Sequence, residues 1–392
     1  MGEDEIRELR KLFKSKQLFR VGDPKTGHLQ EVNLFEKEWA KKIGTKYALL
    51  VSGGGTAGLM CCLAGLGIGP GDEVLVPGYT FMATASAVLA VGAIPVIVEV
   101  DDTCTMDPSD MESKIGPNTR AVIPVHMVGL PCNMEAITRI AKKHRIKVIE
   151  DCCQADGGSF KGKRLGAWGD AGAYSFNYFK IIGCGEGGGM VTDNRTIYER
   201  ASIFHDSGTA FRPYACDFSI PIFLGLQFRA SEIMGAIMRV QLRRLEGILA
   251  GLRRIKRKFI AELSGEPKIC FARSNDLKGD CGVVVPFRFE TAEKAISFAK
   301  SEGVDGWRPL DSAKHVFFDW KPIIEKRIWH VPAMNPYNFP QNKNLRTNFT
   351  KEMYPKTIEN LGRTVFVSLN PDWSDKEVKR KIAACRKAAM KL

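Results

Sequence analysis

The stretch YALLVSGGGTAGLMCCLAGL, residues 47–66, decides the fold. Tyr47–Val51 is a short apolar run of strand length, Ser52 to Thr56 is a glycine-rich turn, and Thr56–Leu66 reads as a helix. The same alternation spreads outward from it. Further apolar runs lie at Glu73–Val76, Pro95–Val98, Ala121–Val125, Lys147–Ile149, Ala171–Phe176 and Gly189–Val191. Helical patterns such as Met134–His144 and Ile197–His205 separate them. Short apolar strands divided by helices predict an α/β fold whose largely parallel sheet is covered on both faces.

Residues 1–30 read as a polar N-terminal arm with turn signals at Gly22-Asp23-Pro24 and Thr26-Gly27. Residues 31–245 are expected to form the large unit and 246–392 a smaller α/β C-terminal one. A long amphipathic helix from Ser231 to Leu263 joins the two. In the C-terminal part Gly282–Phe289 reads as a strand and Thr291–Glu302 as a helix, and Ser374-Asp-Lys-Glu377 is a capping box for a last helix.

Composition narrows the function classes. With 44% hydrophobic and 26% charged residues over 392 positions, the chain has the balance of a soluble globular protein. No apolar stretch approaches the roughly 20 residues that span a bilayer, and MGEDEIRELRKLF lacks the apolar core of a secretory signal. Eleven cysteines without a CxxC pair fit a reducing cytoplasm, and no His spacing suggests a metal site. The net charge of +13 raises nucleic acid as a partner, through the cluster Arg253, Arg254, Lys256, Arg257 and Lys258. A solvated helix face explains that cluster better, so no nucleic-acid partner is expected.

Three segments carry chemistry. Ser52-Gly-Gly-Gly-Thr-Ala57 ends a strand and opens a helix, where backbone N–H groups and the helix dipole hold phosphates. It matches neither the GxGxxG dinucleotide fingerprint nor a P-loop. Val148-Ile-Glu-Asp-Cys-Cys-Gln154 places carboxylates at the carboxyl end of a strand, the edge where open α/β sheets bind ligands. Such a carboxylate either keeps a cofactor's ring nitrogen protonated or merely caps the turn. Lys180 lies in an apolar run before the glycine-rich turn Gly185-Glu-Gly-Gly188. A lysine there either snorkels to water or performs Schiff-base chemistry.

The order of these segments, together with GDEVLVPGYTFMATA at 71–85, VHMVGLPCNM at 125–134 and FRASEIMGAIMRVQLRRL at 228–245, resembles the DegT/DnrJ/EryC family of sugar aminotransferases. The resemblance runs from about residue 30 to 385. It implies the fold-type I architecture, with a seven-stranded, mostly parallel sheet, and the cofactor pyridoxal 5′-phosphate passing through its pyridoxamine form. By the same resemblance Lys180 would form the Schiff base, Asp151 would pair with the pyridinium nitrogen and Gln154 would lie near the phenolic oxygen. Phe81 would stack on the ring, and Gly55, Thr56 and Ser175 would hold the phosphate. Gln227, in Gly225-Leu-Gln-Phe-Arg229, would complete that phosphate site from the partner subunit of a homodimer.

Three positions depart from the family pattern. Gly54 stands where Ser is usual, Gln227 where Asn is usual, and bulky Phe179 precedes the lysine. The implied reaction moves an amino group from L-glutamate or L-glutamine to a keto-sugar. Ser159-Phe-Lys-Gly-Lys163, Cys184-Gly-Glu-Gly-Gly188 and Gly303-Val-Asp-Gly306 resemble the branch that forms 8-amino-3,8-dideoxy-D-manno-octulosonate for surface glycans such as lipopolysaccharide. A nucleotide-linked 3- or 4-keto-sugar is the alternative acceptor. A sugar dehydratase on the same fold would carry histidine in place of Lys180, and a non-catalytic cofactor-binding protein is the remaining rival.

Overall fold

A computed structural model describes residues 1–208, 211 and 217–392. Among the described residues thirteen strands form in chain order. They are β1 (Tyr47–Val51), β2 (Glu73–Pro77), β3 (Ile94–Val98), β4 (Thr119–Val122) and β5 (Lys147–Asp151), then the short pair β6 (Ser159–Phe160) and β7 (Lys163–Arg164). After these come β8 (Ala171–Ser175), β9 (Gly188–Thr192), β10 (Cys270–Phe271), β11 (Val284–Arg288), β12 (Gly306–Trp307) and β13 (Thr364–Ser368). Seven make one sheet in the order β1-β9-β8-β5-β4-β2-β3. Within it β9 runs antiparallel to both neighbours, and the β8-β5-β4-β2-β3 pairings are parallel. All seven predicted runs appear, with ends shifted by up to three residues.

The strands are apolar nearly throughout because both faces are covered. Ala48 and Leu50 join the apolar cluster on one face, and Leu49 and Val51 the cluster on the other. That alternation is the two-residue period of a strand. Helix Glu232–Leu263 then crosses to a third cluster: Leu245 and Leu249 pack with the sheet, while Leu252, Ile255, Phe259 and Leu263 pack against β11 and β13. There β10-β11-β13-β12 form an antiparallel sheet, backed by helices Ala292–Ala299 and Asp375–Met390. The Ser374 capping box forms as read, with the Ser374 hydroxyl accepting from Glu377 N–H.

The N-terminal arm carries a helix of its own. Glu3–Ser15 is a helix, nucleated where the Gly2 N–H donates 2.7 Å to the Glu5 carboxylate and where three acidic residues face the positive end of its dipole. It lies along the long helix through Gln241, which donates to Glu5, and Arg244, which pairs with Asp4 and Glu5. Only from Lys16 onward is the segment irregular, with the expected turn at Pro24–Thr26 capped by Asp23.

Candidate active site

The carboxyl ends of β1, β2, β5 and β8 open on one edge of the large sheet, and each delivers a predicted residue there. After β1 the chain turns directly into helix Gly54–Leu66, whose N-cap, Gly53, offers no side chain to its first N–H groups. The turn is pressed against its neighbours. A Cβ on Gly55 would stand 2.4 Å from Cys153 Sγ and 3.2 Å from Ser175 Cβ, so only glycine fits. Gly55, Thr56 and the hydroxyl-bearing end of β8 thus form a cradle of unclaimed helix N–H groups beside Ser175.

Asp151 ends β5 and is 4% exposed. Its Oδ2 accepts from the Thr84 hydroxyl at 2.8 Å and its Oδ1 from the Cys153 N–H at 3.0 Å. Because the Thr84 hydrogen is engaged there, Thr80 donates to Thr84 over 2.7 Å. Two threonines four apart, at the start of helix Ala83–Ala90, therefore fix the carboxylate. Gln154 is fixed from the opposite side, where its Oε1 accepts from the Val128 N–H at 3.0 Å. Val128 adopts φ 46° and ψ 35°, a left-handed conformation that costs a β-branched residue about 1–3 kcal/mol. With the amide oxygen committed, Gln154 has its –NH₂ to offer a ligand.

Phe81 follows β2 with its side chain 40% exposed. The loop around it is pinned from far down the chain: Thr80 N–H donates to the His315 carbonyl at 2.9 Å and Met82 N–H to that of Lys314 at 3.1 Å. The Phe81 ring lies 5.6 Å from the His315 ring, and Lys314 Nζ stands 5.6 Å from its centroid. Lys180 occupies the loop from β8 to β9, which is closed by Phe176 N–H on the Gly187 carbonyl and Tyr178 N–H on the Gly185 carbonyl. Lys180 as a residue is half-buried, and its charge is felt at Cys153, Asp156 and His315. Burial, followed by the positive charges of Lys314 and Lys180, holds His315 below the ordinary histidine range, which keeps it neutral. Tyr178 and Phe179 beside the lysine are 79% and 86% exposed.

Gln227 does not join this group within one chain. It is exposed, on a segment whose backbone bridges to Asp206 and whose Phe228 carbonyl accepts from Ser52 N–H at 2.8 Å, next to the glycine turn. Glu150, Asp151's neighbour, faces away from the crevice and accepts from the N–H groups of Gly166, Trp168 and Gly169 and from His126. His126, Glu150 and Cys152 come within 4.8 Å of one another. Their hydrogen bonds are already made internally, His126 Nδ1 accepting from Cys132 N–H, so the group is structural. The basic cluster on the long helix is largely paired too: Lys256 with buried Asp280, Arg254 with Asp375 and Lys258 with Glu262.

A buried carboxylate, a helix N-terminus without a cap, an exposed aromatic ring and a half-buried lysine at one sheet edge fit pyridoxal 5′-phosphate, group for group. The fold is that of the fold-type I architecture, and its crevice has the polarity for that cofactor. Residues 1–380 match the profile of the DegT/DnrJ/EryC1/StrS aminotransferase family, and the chain belongs to that family. It is 39% identical over 226 residues to the GDP-perosamine synthase of Escherichia coli O157:H7, a match covering 57% of this chain and 60% of that protein. A putative L-glutamine:3-amino-2,3-dideoxy-scyllo-inosose aminotransferase of Micromonospora echinospora is 34% identical over 364 residues, covering 87% of this chain and 84% of its own length. Among solved structures, DesV of S. venezuelae in complex with a ketimine intermediate superposes with a TM-score of 0.77 at 26% identity, covering 99% of this chain and 95% of DesV. No helix among the described residues is long and apolar enough to cross a membrane.

Thr84, His315 and Asp156 belong to the site's surroundings and escaped the sequence reading. Thr84 could have been found, because it opens the helix that follows β2, at the sheet edge where the other residues gather. His315 carries no local signal.

Proposed function

We propose that this chain is a pyridoxal-phosphate-dependent aminotransferase that moves an amino group from L-glutamate or L-glutamine onto a keto-sugar. The observation that carries the reading is the meeting of Lys180, Asp151 and the Gly55–Ser175 cradle at one sheet edge, in a chain of this family. Bound pyridoxal phosphate supplies an electron-withdrawing ring that stabilises a carbanion at the substrate carbon. Asp151, held by Thr84 and the Cys153 N–H, keeps the ring nitrogen's proton in place. Gly55, Thr56 and Ser175 bind the phosphate, Phe81 covers the ring, and Gln154 offers its –NH₂ to the phenolic oxygen. Lys180 would hold the cofactor through its amine and would serve as proton donor and acceptor at the reacting carbon.

A second copy completes the site. Tyr178 and Phe179, next to Lys180 in sequence, and Leu224 and Leu226, next to Gln227, are exposed, and a homodimer would cover such side chains while bringing Gln227 to the partner's phosphate. The large unit of residues 31–245 holds the cofactor, and residues 246–392 supply a wall of the sugar pocket through Lys314 and His315. The unpaired described cysteines suit a reducing cytoplasm.

For the acceptor we favour 8-oxo-3-deoxy-octulosonate, on the motifs at 159–163, 184–188 and 303–306. A nucleotide-linked keto-sugar is the second reading, supported by relatives such as GDP-perosamine synthase. The test is turnover with L-glutamate and each acceptor class, followed by mass spectrometry for exchange of the carbonyl oxygen for an amino group. An amino-octulosonate product supports the first reading. An aminated nucleotide sugar supports the second, and no aminated sugar from either class removes both.

A further inference from the structure

The C-terminal part reaches the site by a second route, apart from Lys314 and His315. Val128, whose N–H holds the Gln154 carboxamide oxygen at 3.0 Å, belongs to the turn Met127–Gly129. Gly129 N–H closes that turn on the His126 carbonyl at 3.2 Å, and His126 N–H ties it to the Asp151 carbonyl at 3.1 Å. Two successive residues in it are left-handed, Val128 at φ 46° and Gly129 at φ 75°. A β-branched residue does not favour that conformation, so contacts outside the turn must hold it.

Cys281 supplies them. Its N–H donates to the Gly129 carbonyl at 3.1 Å, and its side chain is buried. A Cβ on Gly129 would stand 2.7 Å from Cys281 Cβ, and one on Gly158 would stand 2.8 Å from Cys281 Sγ. The thiol is thus wedged between the Met127–Gly129 turn and the loop that follows Gln154, with no room for a larger side chain. Cys281 is itself anchored. It lies between Asp280 and strand β11, and the buried Asp280 carboxylate pairs with Lys256 and accepts from Gly282 N–H. Arg253, on the long helix, donates to the Asp280 carbonyl at 2.7 Å.

We propose that Cys281 is a positioning residue for Gln154: it fixes the Met127–Gly129 turn, so that Val128 N–H claims the carboxamide oxygen and the –NH₂ is left for the cofactor's phenolic oxygen. The proposal rests on the role given to Gln154 in the proposed function. A carboxamide that is not held can turn over and present its oxygen to an anionic phenolic oxygen, which repels it. With the turn in place, that orientation would set the –NH₂ against Val128 N–H, donor against donor.

The test has one readout without cofactor and one with it. In the cofactor-free full-length protein, deuterium exchange at the Val128 amide should be slow, and Gln154→Ala should speed it by about tenfold or more. Cys281→Leu, which overfills the wedge, should speed it similarly. Cys281→Ala, which keeps the N–H and crowds nothing, should not. With pyridoxal phosphate bound, a donor on the phenolic oxygen favours its ionised form, so loss of that donor raises the pH midpoint of the Schiff-base absorbance change. Gln154→Ala and Cys281→Leu should each raise it by about one pH unit, and the double variant by no more than either alone. A Cys281→Leu protein that keeps the natural exchange rate or the natural midpoint overturns the proposal, as do shifts that add in the double variant, and the function stands. If the natural protein captures no cofactor, the function itself falls and takes the proposal with it. Should Cys281→Leu be too unstable to purify, Cys281→Val, with a smaller excess of volume, decides by the same measurements.

Discussion

At the scale of single residues, the site rests on contacts that can be cut one at a time. Thr84→Val removes the hydroxyl from Asp151 Oδ2 at nearly constant volume. A hydrogen bond to a charged group is worth about 1.5–3 kcal/mol, so cofactor affinity should fall by roughly ten- to a hundredfold, measured by equilibrium titration. Gly55→Ala drives a methyl group into Cys153 Sγ and should abolish cofactor binding. Because that obstacle is a side chain, Gly55→Ala with Cys153→Ala should recover part of it; equal loss in the single and double variants would mean that the strain lies in the backbone. Asp151 and Gln154 share one short motif and Lys180 lies in a second, which is why the sequence singles them out. The threonine that fixes Asp151 is 67 residues away in sequence, and Lys314 and His315 arrive from the C-terminal part. Local pattern carries no information about such meetings.

At the scale of elements, the sheet could be read because strands buried on both faces are apolar runs that stand out from polar turns. The N-terminal helix was missed because its sequence is dominated by charge. Its order comes from Glu5 reaching back to Gly2, from pairing with the long helix and from the burial of Leu12. The β6–β7 hairpin was also missed, since strands of two residues leave no period to detect; Lys161 and Gly162 at φ 48° and 82° make its turn. Helix Arg195–His205 ends on a histidine that reports folding. His205 Nδ1–H donates to the Ser202 carbonyl at 2.6 Å, and burial lowers its pKa to about 3. The unfolded chain therefore takes up a proton below about pH 6.5 that the folded chain refuses, and stability falls as pH falls. Between pH 7.5 and 5.5 this one group should cost about 1.4 kcal/mol, visible as a drop in Tm that is smaller in His205→Gln. The junction of the long helix with the C-terminal part depends on the buried pair Lys256–Asp280. Asp280→Ala strands the ammonium and should cost about 3–5 kcal/mol in denaturant unfolding.

At the scale of the whole molecule, the proposed dimer would cover apolar side chains that a single chain leaves exposed. Leu224 is 85% exposed and Phe179 86% exposed. Sedimentation should show a dimer, and Leu224→Glu should shift it towards monomer and weaken cofactor retention together; a stable monomer that retains its cofactor would refute the shared site. If the proposed function holds, the excess of 57 basic over 44 acidic residues would supply a long-range field that favours an anionic cofactor. Every part of this account converges on Lys180 as the residue that binds and releases the cofactor. The most direct measurement is the absorbance spectrum of the purified protein with pyridoxal phosphate, before and after L-glutamate or L-glutamine, with Lys180→Ala beside it. The account predicts a Schiff-base band that an amino donor bleaches and a keto-sugar restores, absent from the variant. A natural protein that forms no such band, or a Lys180→Ala variant that forms and bleaches it equally, would contradict the claim.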